Sequence, residues 1–220
     1  MKNIFKTVAI IGLTSIAFYA CKKPAPTPTP LGKFDNVWIN GNVSLTISSA
    51  SSSSLISTSG GSVNTVVVGN TLMINGYGNA HVNIGNADTV FSNGSSTVTN
   101  SGPMNVGHMV FSCNGASTVT INNITATDSL IALANGSGIY TFSGTTPKLT
   151  VGANGNGTFE GYNMTSTNCD VAVNGSGKSD VFVTGILRAF INGNGMVYYK
   201  GNPTTVIPVM INGSGQLIKQ

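Results

Sequence analysis

Charge is scarce in this 220-residue chain, which carries ten basic and six acidic side chains, 7% of the total. That is too little for the mixed Lys and Glu exterior of an ordinary helical domain. The basic excess is confined to the start, at Lys2, Lys6, Lys22 and Lys23. From residue 33 onward six bases (Lys33, Lys148, Lys178, Arg188, Lys200, Lys219) face six acids, a net charge of zero. With no positive field to neutralise a phosphate backbone, nucleic acid is excluded as a main partner. Aromatic residues also stop at 7%, with one Trp, which argues against the aromatic girdles of a membrane β-barrel. Three cysteines make no disulfide framework. Disorder is excluded too, because its signature is high charge with low hydrophobicity and this chain is 40% hydrophobic. What is plentiful is Gly, at 28 residues, together with Asn, Ser and Thr. All are mediocre to poor helix formers, which leaves an all-β fold.

Residues 1–20 read as an export signal. Lys2 and Lys6 supply the positive end, and Thr7 to Ala20 is an apolar run too short for a comfortable membrane span of about 20 residues. Phe18-Tyr19-Ala20-Cys21 resembles a bacterial lipobox, in which cleavage leaves Cys21 as a lipidated N-terminus. Leu would be more usual at position 18. The following Lys22-Lys23-Pro24-Ala25-Pro26-Thr27-Pro28-Thr29-Pro30 favours polyproline II, a semi-rigid spacer of about 3.1 Å per residue. The chain therefore divides into a signal (1–20), a lipidated Cys with its tether (21–32) and a domain (33–220).

That domain is repetitive. Asn-Gly recurs at Asn75, Asn93, Asn114, Asn135, Asn154, Asn174, Asn192 and Asn212, roughly every 20 residues. Asn40-Gly41 and Ser59-Gly60 extend the series upstream. Before each later Asn, the residues one, three and five places back are apolar, from Met109, Phe111 and Cys113 to Ile207, Val209 and Ile211. Period-two alternation marks strands with one buried face. Asn and Gly tolerate positive φ, so each pair can turn a corner. Stacking identical corners about 4.8 Å apart lets Asn amides hydrogen-bond in a ladder. The expected fold is an all-β solenoid with about 20 residues per coil, ten or so coils and a length of roughly 45 Å.

The strand Phe34-Asp35-Asn36-Val37-Trp38-Ile39, the segment Gly69-Asn70-Thr71-Leu72-Met73-Ile74 and the Gly-Ser-Gly repeats resemble the head GIN domain of the putative auto-transporter adhesins. Tyr198-Tyr199-Lys200-Gly201-Asn202-Pro203, followed by Ile211-Asn212-Gly213-Ser214-Gly215, is the most specific part. The resemblance spans residues 33–220. It implies a right-handed parallel β-helix-like fold with tight Gly-Ser-Gly turns, and an adhesive role without recognised catalytic residues. Asn93 and Asn114 depart from the pattern, being followed by Gly-Ser-Ser and Gly-Ala-Ser.

Ala172-Val173-Asn174-Gly175-Ser176-Gly177-Lys178-Ser179 looks like a phosphate loop, but a strand rather than a helix follows, so it reads as a repeat turn. Glu160 and Asp180 both lie six residues after their Asn, and stacked carboxylates could form the acid/base pair of a carbohydrate-active β-helix. Asp170 and Arg188, each four residues before an Asn, are placed for a cross-strand ion pair. His81 and His108 lack partners in ligand spacing, so neither a metal nor a cofactor is expected. Cys113 and Cys169 point inward three coils apart, too far for a disulfide, and should be free thiols. Ile131, Leu133, Phe190 and Met210 fall on the outward side and, as one patch, suggest an interaction face. The expectation is an exported outer-membrane lipoprotein that works by contact. The membrane is engaged through Cys21, and the partner is a glycan, a protein surface or a second copy. A carbohydrate-active enzyme using Glu160 and Asp180 is the alternative.

Overall fold

Alternating apolar residues, broken every 20 positions by a corner, leave the backbone one economical arrangement: each strand pairs with the equivalent strand of the next coil. The computed structural model describes residues 32–85 and 88–220, and among these there is no helix. The expected signal, Cys21 and the Pro-rich segment that follows it lie outside the described residues. The strands are β1 (Asn36–Ser49), β2 (Ser54–Val68), β3 (Thr71–Ile84), β4 (Thr89–Gly94), β5 (Thr97–Asn100), β6 (Met104–Gly115) and β7 (Thr118–Gly136). They continue as β8 (Ile139–Gly155), β9 (Thr158–Gly175), β10 (Lys178–Gly193), β11 (Met196–Lys200), β12 (Thr205–Asn212) and β13 (Gln216–Lys219). Every pairing is parallel except that of β2 with β3. The fold is a β-solenoid of about seven turns, near 20 residues each. Residues 31–220 form a compact unit with its own closed core.

Two expectations about the first coils are corrected. The solenoid has about seven turns rather than ten, and Ser59-Gly60 is not one of its corners. Gly60 and Gly61 both have positive φ and make an irregularity between Ser59 and Ser62 in β2, which runs antiparallel to β3 as an end strand. Nor do the coils stack in chain order. β1 lies between β3 on one side and β4 with β5 on the other, so the chain returns past its own first strand before the regular stack begins.

The column of corners itself is continuous, and part of it is joined by Asn–Asn hydrogen bonds. Asn75, Asn40, Asn93, Asn114, Asn135, Asn154, Asn174, Asn192 and Asn212 occupy one register column. Asn135 donates through Nδ2 to Asn114 Oδ1 (3.0 Å), Asn154 to Asn135 (2.7 Å) and Asn174 to Asn154 (2.8 Å). Asn40 likewise donates to Asn75 at 3.0 Å. Where Ser96 and Ser117 replace the second Gly of the turn, their hydroxyls donate to the carbonyls of Gly41 and Gly94, and Ser117 also meets Ser92 Oγ at 3.1 Å. The departures from the family motif are thus satisfied internally. Asn154 serves as donor and acceptor at once, so Asn154→Ala should cost about 1–2 kcal/mol, read as a lowered urea midpoint.

Inside, the alternation holds from β6 through β10: Met109, Phe111 and Cys113 are buried, and so are the matching trios up to Leu187, Ala189 and Ile191. Rings of Phe111, Phe142 and Phe159 follow one another at centroid distances of 5.3 and 5.7 Å, and Tyr140 donates to the Leu133 carbonyl at 2.7 Å. The last trio is a correction. Ile207, Val209 and Ile211 are exposed, at 38%, 44% and 41%. Pro208 has no N–H to donate, and the register slips beside it, so Ile207 aligns with outward Arg188 while Ile211 returns to Ile191. Among the described residues β12 also forms an open edge, pairing with β10 alone.

Candidate functional site

Outward positions on the strand preceding each Asn form two columns. One runs Val110, Ile131, Thr150, Asp170, Arg188, Ile207, and the other Ser112, Leu133, Gly152, Ala172, Phe190, Met210. The four residues expected as one interaction patch therefore separate into two pairs. Ile131 and Leu133 share β7, and Leu133 leans over Gly152, where an added Cβ would meet its Cδ2 at 2.9 Å. Phe190 and Met210 are neighbours on adjacent rungs and both 42% exposed. Gly152 and Ala172 interrupt the apolar run, which corrects the expectation of a continuous patch.

The interruption creates a site. Ala172 offers only a methyl group, so a shallow trough opens beside Phe190, bordered by Thr150, Asp170 and Arg188. Arg188 Nη1 donates to Asp170 Oδ1 at 3.2 Å, and the two side chains are 44% and 40% exposed. An exposed, single-contact pair contributes about 0.2–1 kcal/mol at most. The other carboxylate oxygen and the remaining guanidinium N–H groups have no side-chain partner among the described residues.

The strand following each corner carries the carboxylates. Thr141, Glu160, Asp180 and Tyr198 stand in one column, so Glu160 and Asp180 are direct neighbours. Thr141 donates to Glu160 Oε2 at 3.0 Å. Asp180 is only 6% exposed, with Lys178 Nζ 2.7 Å from Oδ2, while Oδ1 is buried without a partner among the described residues. Lys178 also lies 5.2 Å from the Tyr198 ring centre, and Lys200 sits 4.2 Å over Tyr162. Tyr162 belongs to residues 162–164, which have no counterpart in β10, and the register jump turns it toward Asp180. Burial, then the Asp180 charge, pushes its phenol up to about 12. No residue pattern signals this lysine–tyrosine packing, because the three-residue excursion that produces it has no motif.

Thr46, Thr99, Thr120 and Thr141 share a column. The phosphate-loop lookalike is the corner between β9 and β10, and a strand follows it. His108 Nδ1 meets Ser129 Oγ at 2.6 Å and His81 Nε2 meets Ser48 Oγ at 2.5 Å, and no metal-binding cluster occurs among the described residues. Cys113 and Cys169 are free and buried, three rungs apart, and burial raises both thiols. A disulfide-exchange reagent at pH 8 should label neither in native residues 31–220 and both after urea unfolding, counted by released chromophore.

Residues 33–203 match the family model described as "Putative auto-transporter adhesin, head GIN domain". Solved structures share the fold. A putative adhesin from Bacteroides fragilis superposes with a TM-score of 0.76 at 15% identity, and one from Parabacteroides distasonis with 0.69 at 16%. A putative lipid binding protein from Parabacteroides distasonis gives 0.64 at 20%. Each likeness covers 87% of this chain and 94% of the other. None of the curated proteins matches.

Proposed function

The chain belongs to the putative auto-transporter adhesin, head GIN domain family, and from that premise we propose that it acts by contact, as an exported lipoprotein displaying its solenoid faces. The observation that carries this reading is the outward trough beside Phe190, where an exposed ring, an ion pair with spare hydrogen-bonding capacity and a hydroxyl share one rigid surface. Side chains on stacked parallel strands are held in place without further ordering, which suits recognition. The lipobox-like Cys21 and its proline tether supply the anchor in the outer membrane. The ligand is a surface glycan or protein.

Two observations weigh against chemistry. Asp180 is almost buried and engaged by Lys178, which leaves it poorly placed to meet a substrate oxygen. Glu160 then stands alone, without the second carboxyl that glycoside hydrolysis needs. A lipid-binding role, suggested by the name of one structural neighbour, would need an apolar cavity, whereas the interior of this solenoid is filled by Phe111, Phe142, Phe159 and the aliphatic columns.

The test is retention of residues 31–220 on arrays of matrix proteins, glycans and bacterial cells. Contact predicts saturable retention that Phe190→Glu abolishes while the urea midpoint stays unchanged. Absence of retention on every surface would remove the reading.

A further inference from the structure

The geometry points to a specific class of ligand for the trough: the ring of a neutral hexose within a glycan. This inference rests on the contact reading and assigns its chemistry. Three features of the site decide it. The trough lies on the sheet face, where backbone N–H and C=O groups are already spent in parallel pairing on both sides of β9, so a peptide cannot be captured by strand addition. Arg188 is neutralised by Asp170, and residues 33–220 carry no net charge, so a phosphate, sulfate or carboxylate finds no uncompensated cation. The site is shallow and open to solvent, so an acyl chain lying in it would stay largely wetted. What remains matches a hydroxylated ring with one apolar C–H face.

Each part of such a ring has a counterpart. Phe190 presents a flat apolar surface on which the C–H face of a sugar can lie. Beside it, Thr150, Asp170 and Arg188 rise on successive rungs about 4.8 Å apart. They offer in turn a hydroxyl, a carboxylate oxygen that accepts, and guanidinium N–H groups that donate. Vicinal sugar hydroxyls both donate and accept, so a carboxylate and a guanidinium held side by side can engage two neighbours at once. Ala172 keeps the floor low; a longer side chain there would fill the space the ring takes.

The experiment is a glycan array, followed by titration of residues 31–220 with the neutral oligosaccharides retained, read by saturation-transfer NMR. Neutral glycans should bind saturably. Phe190→Ala, Asp170→Asn and Ala172→Leu should each weaken binding at least tenfold, and Thr97→Ala on the other strand face should leave it unchanged. Binding that requires sulfate or sialic acid, binding that survives both Phe190→Ala and Asp170→Asn, or an array with no neutral glycan retained would overturn the assignment. The contact reading fails separately: retention on a protein surface without any glycan binding removes only the sugar, whereas retention on nothing removes both.

Discussion

Gly136→Val is expected to destabilise the protein by roughly 2–6 kcal/mol, a large share of the ~5–15 kcal/mol that holds a typical domain folded. Two independent costs combine at this corner. Gly136 has φ of +118°, a conformation that a β-branched residue rarely adopts. A Cβ there would also stand 2.5 Å from the carbonyl oxygen of Gly115 on the preceding rung. That carbonyl cannot withdraw, because it accepts the Ser137 N–H at 3.0 Å. Glycines 94, 115, 155, 175, 193 and 213 repeat the arrangement, with clashes of 2.5–2.9 Å against the glycine one rung back. Gly102, with nothing within 4 Å of an added Cβ, is the control. Gly102→Ala should stay within about 0.5 kcal/mol of the parent. Urea midpoints by circular dichroism measure both.

Phe142→Ala should cost about 3–5 kcal/mol. Its ring is buried between Phe111 and Phe159 and stacks with Tyr140 at 6.2 Å. The walls of the resulting cavity are strands fixed by pairing on both sides, so they cannot collapse to fill it. The change should shift the urea midpoint with little change in slope. Phe142→Leu, which keeps most of the volume, should recover more than half of the loss.

Regular coils were legible because each one writes the same two constraints into the chain. Asn-Gly marks the corner and period-two apolar residues mark the inner face, so Asn93 through Asn192 and the buried trios from Met109 to Ile191 could be placed without coordinates. The ends were not legible, for a physical reason. At Ser59-Gly60 the same residue types serve an antiparallel strand, since positive φ is needed for a bulge as much as for a corner. The insertion of β1 between β3 and β4 depends on which strand edge is free, a tertiary matter that local pattern does not record. At Pro208 the alternation continues through Ile207, Val209 and Ile211 while the hydrogen-bond register slips, so pattern and pairing disagree.

The site was half legible. Asp170 and Arg188 were expected to pair and do, at 3.2 Å. Phe190 was expected to face outward and does. The trough between them was missed, because it arises from Ala172, a small residue whose significance lies in what it leaves vacant. Glu160 and Asp180 were expected as neighbours and are, yet Lys178 and the excursion at Tyr162 close off Asp180.

Adhesion of beads coated with residues 31–220 to the glycans retained on the array separates contact from chemistry most directly. Phe190→Glu is compared with the Glu160→Gln/Asp180→Asn double variant, each verified as folded. The account predicts that Phe190→Glu abolishes capture, and that the double variant captures as well as the parent with the glycan recovered intact. Capture that survives Phe190→Glu, together with glycan cleavage that stops in the double variant, would contradict it.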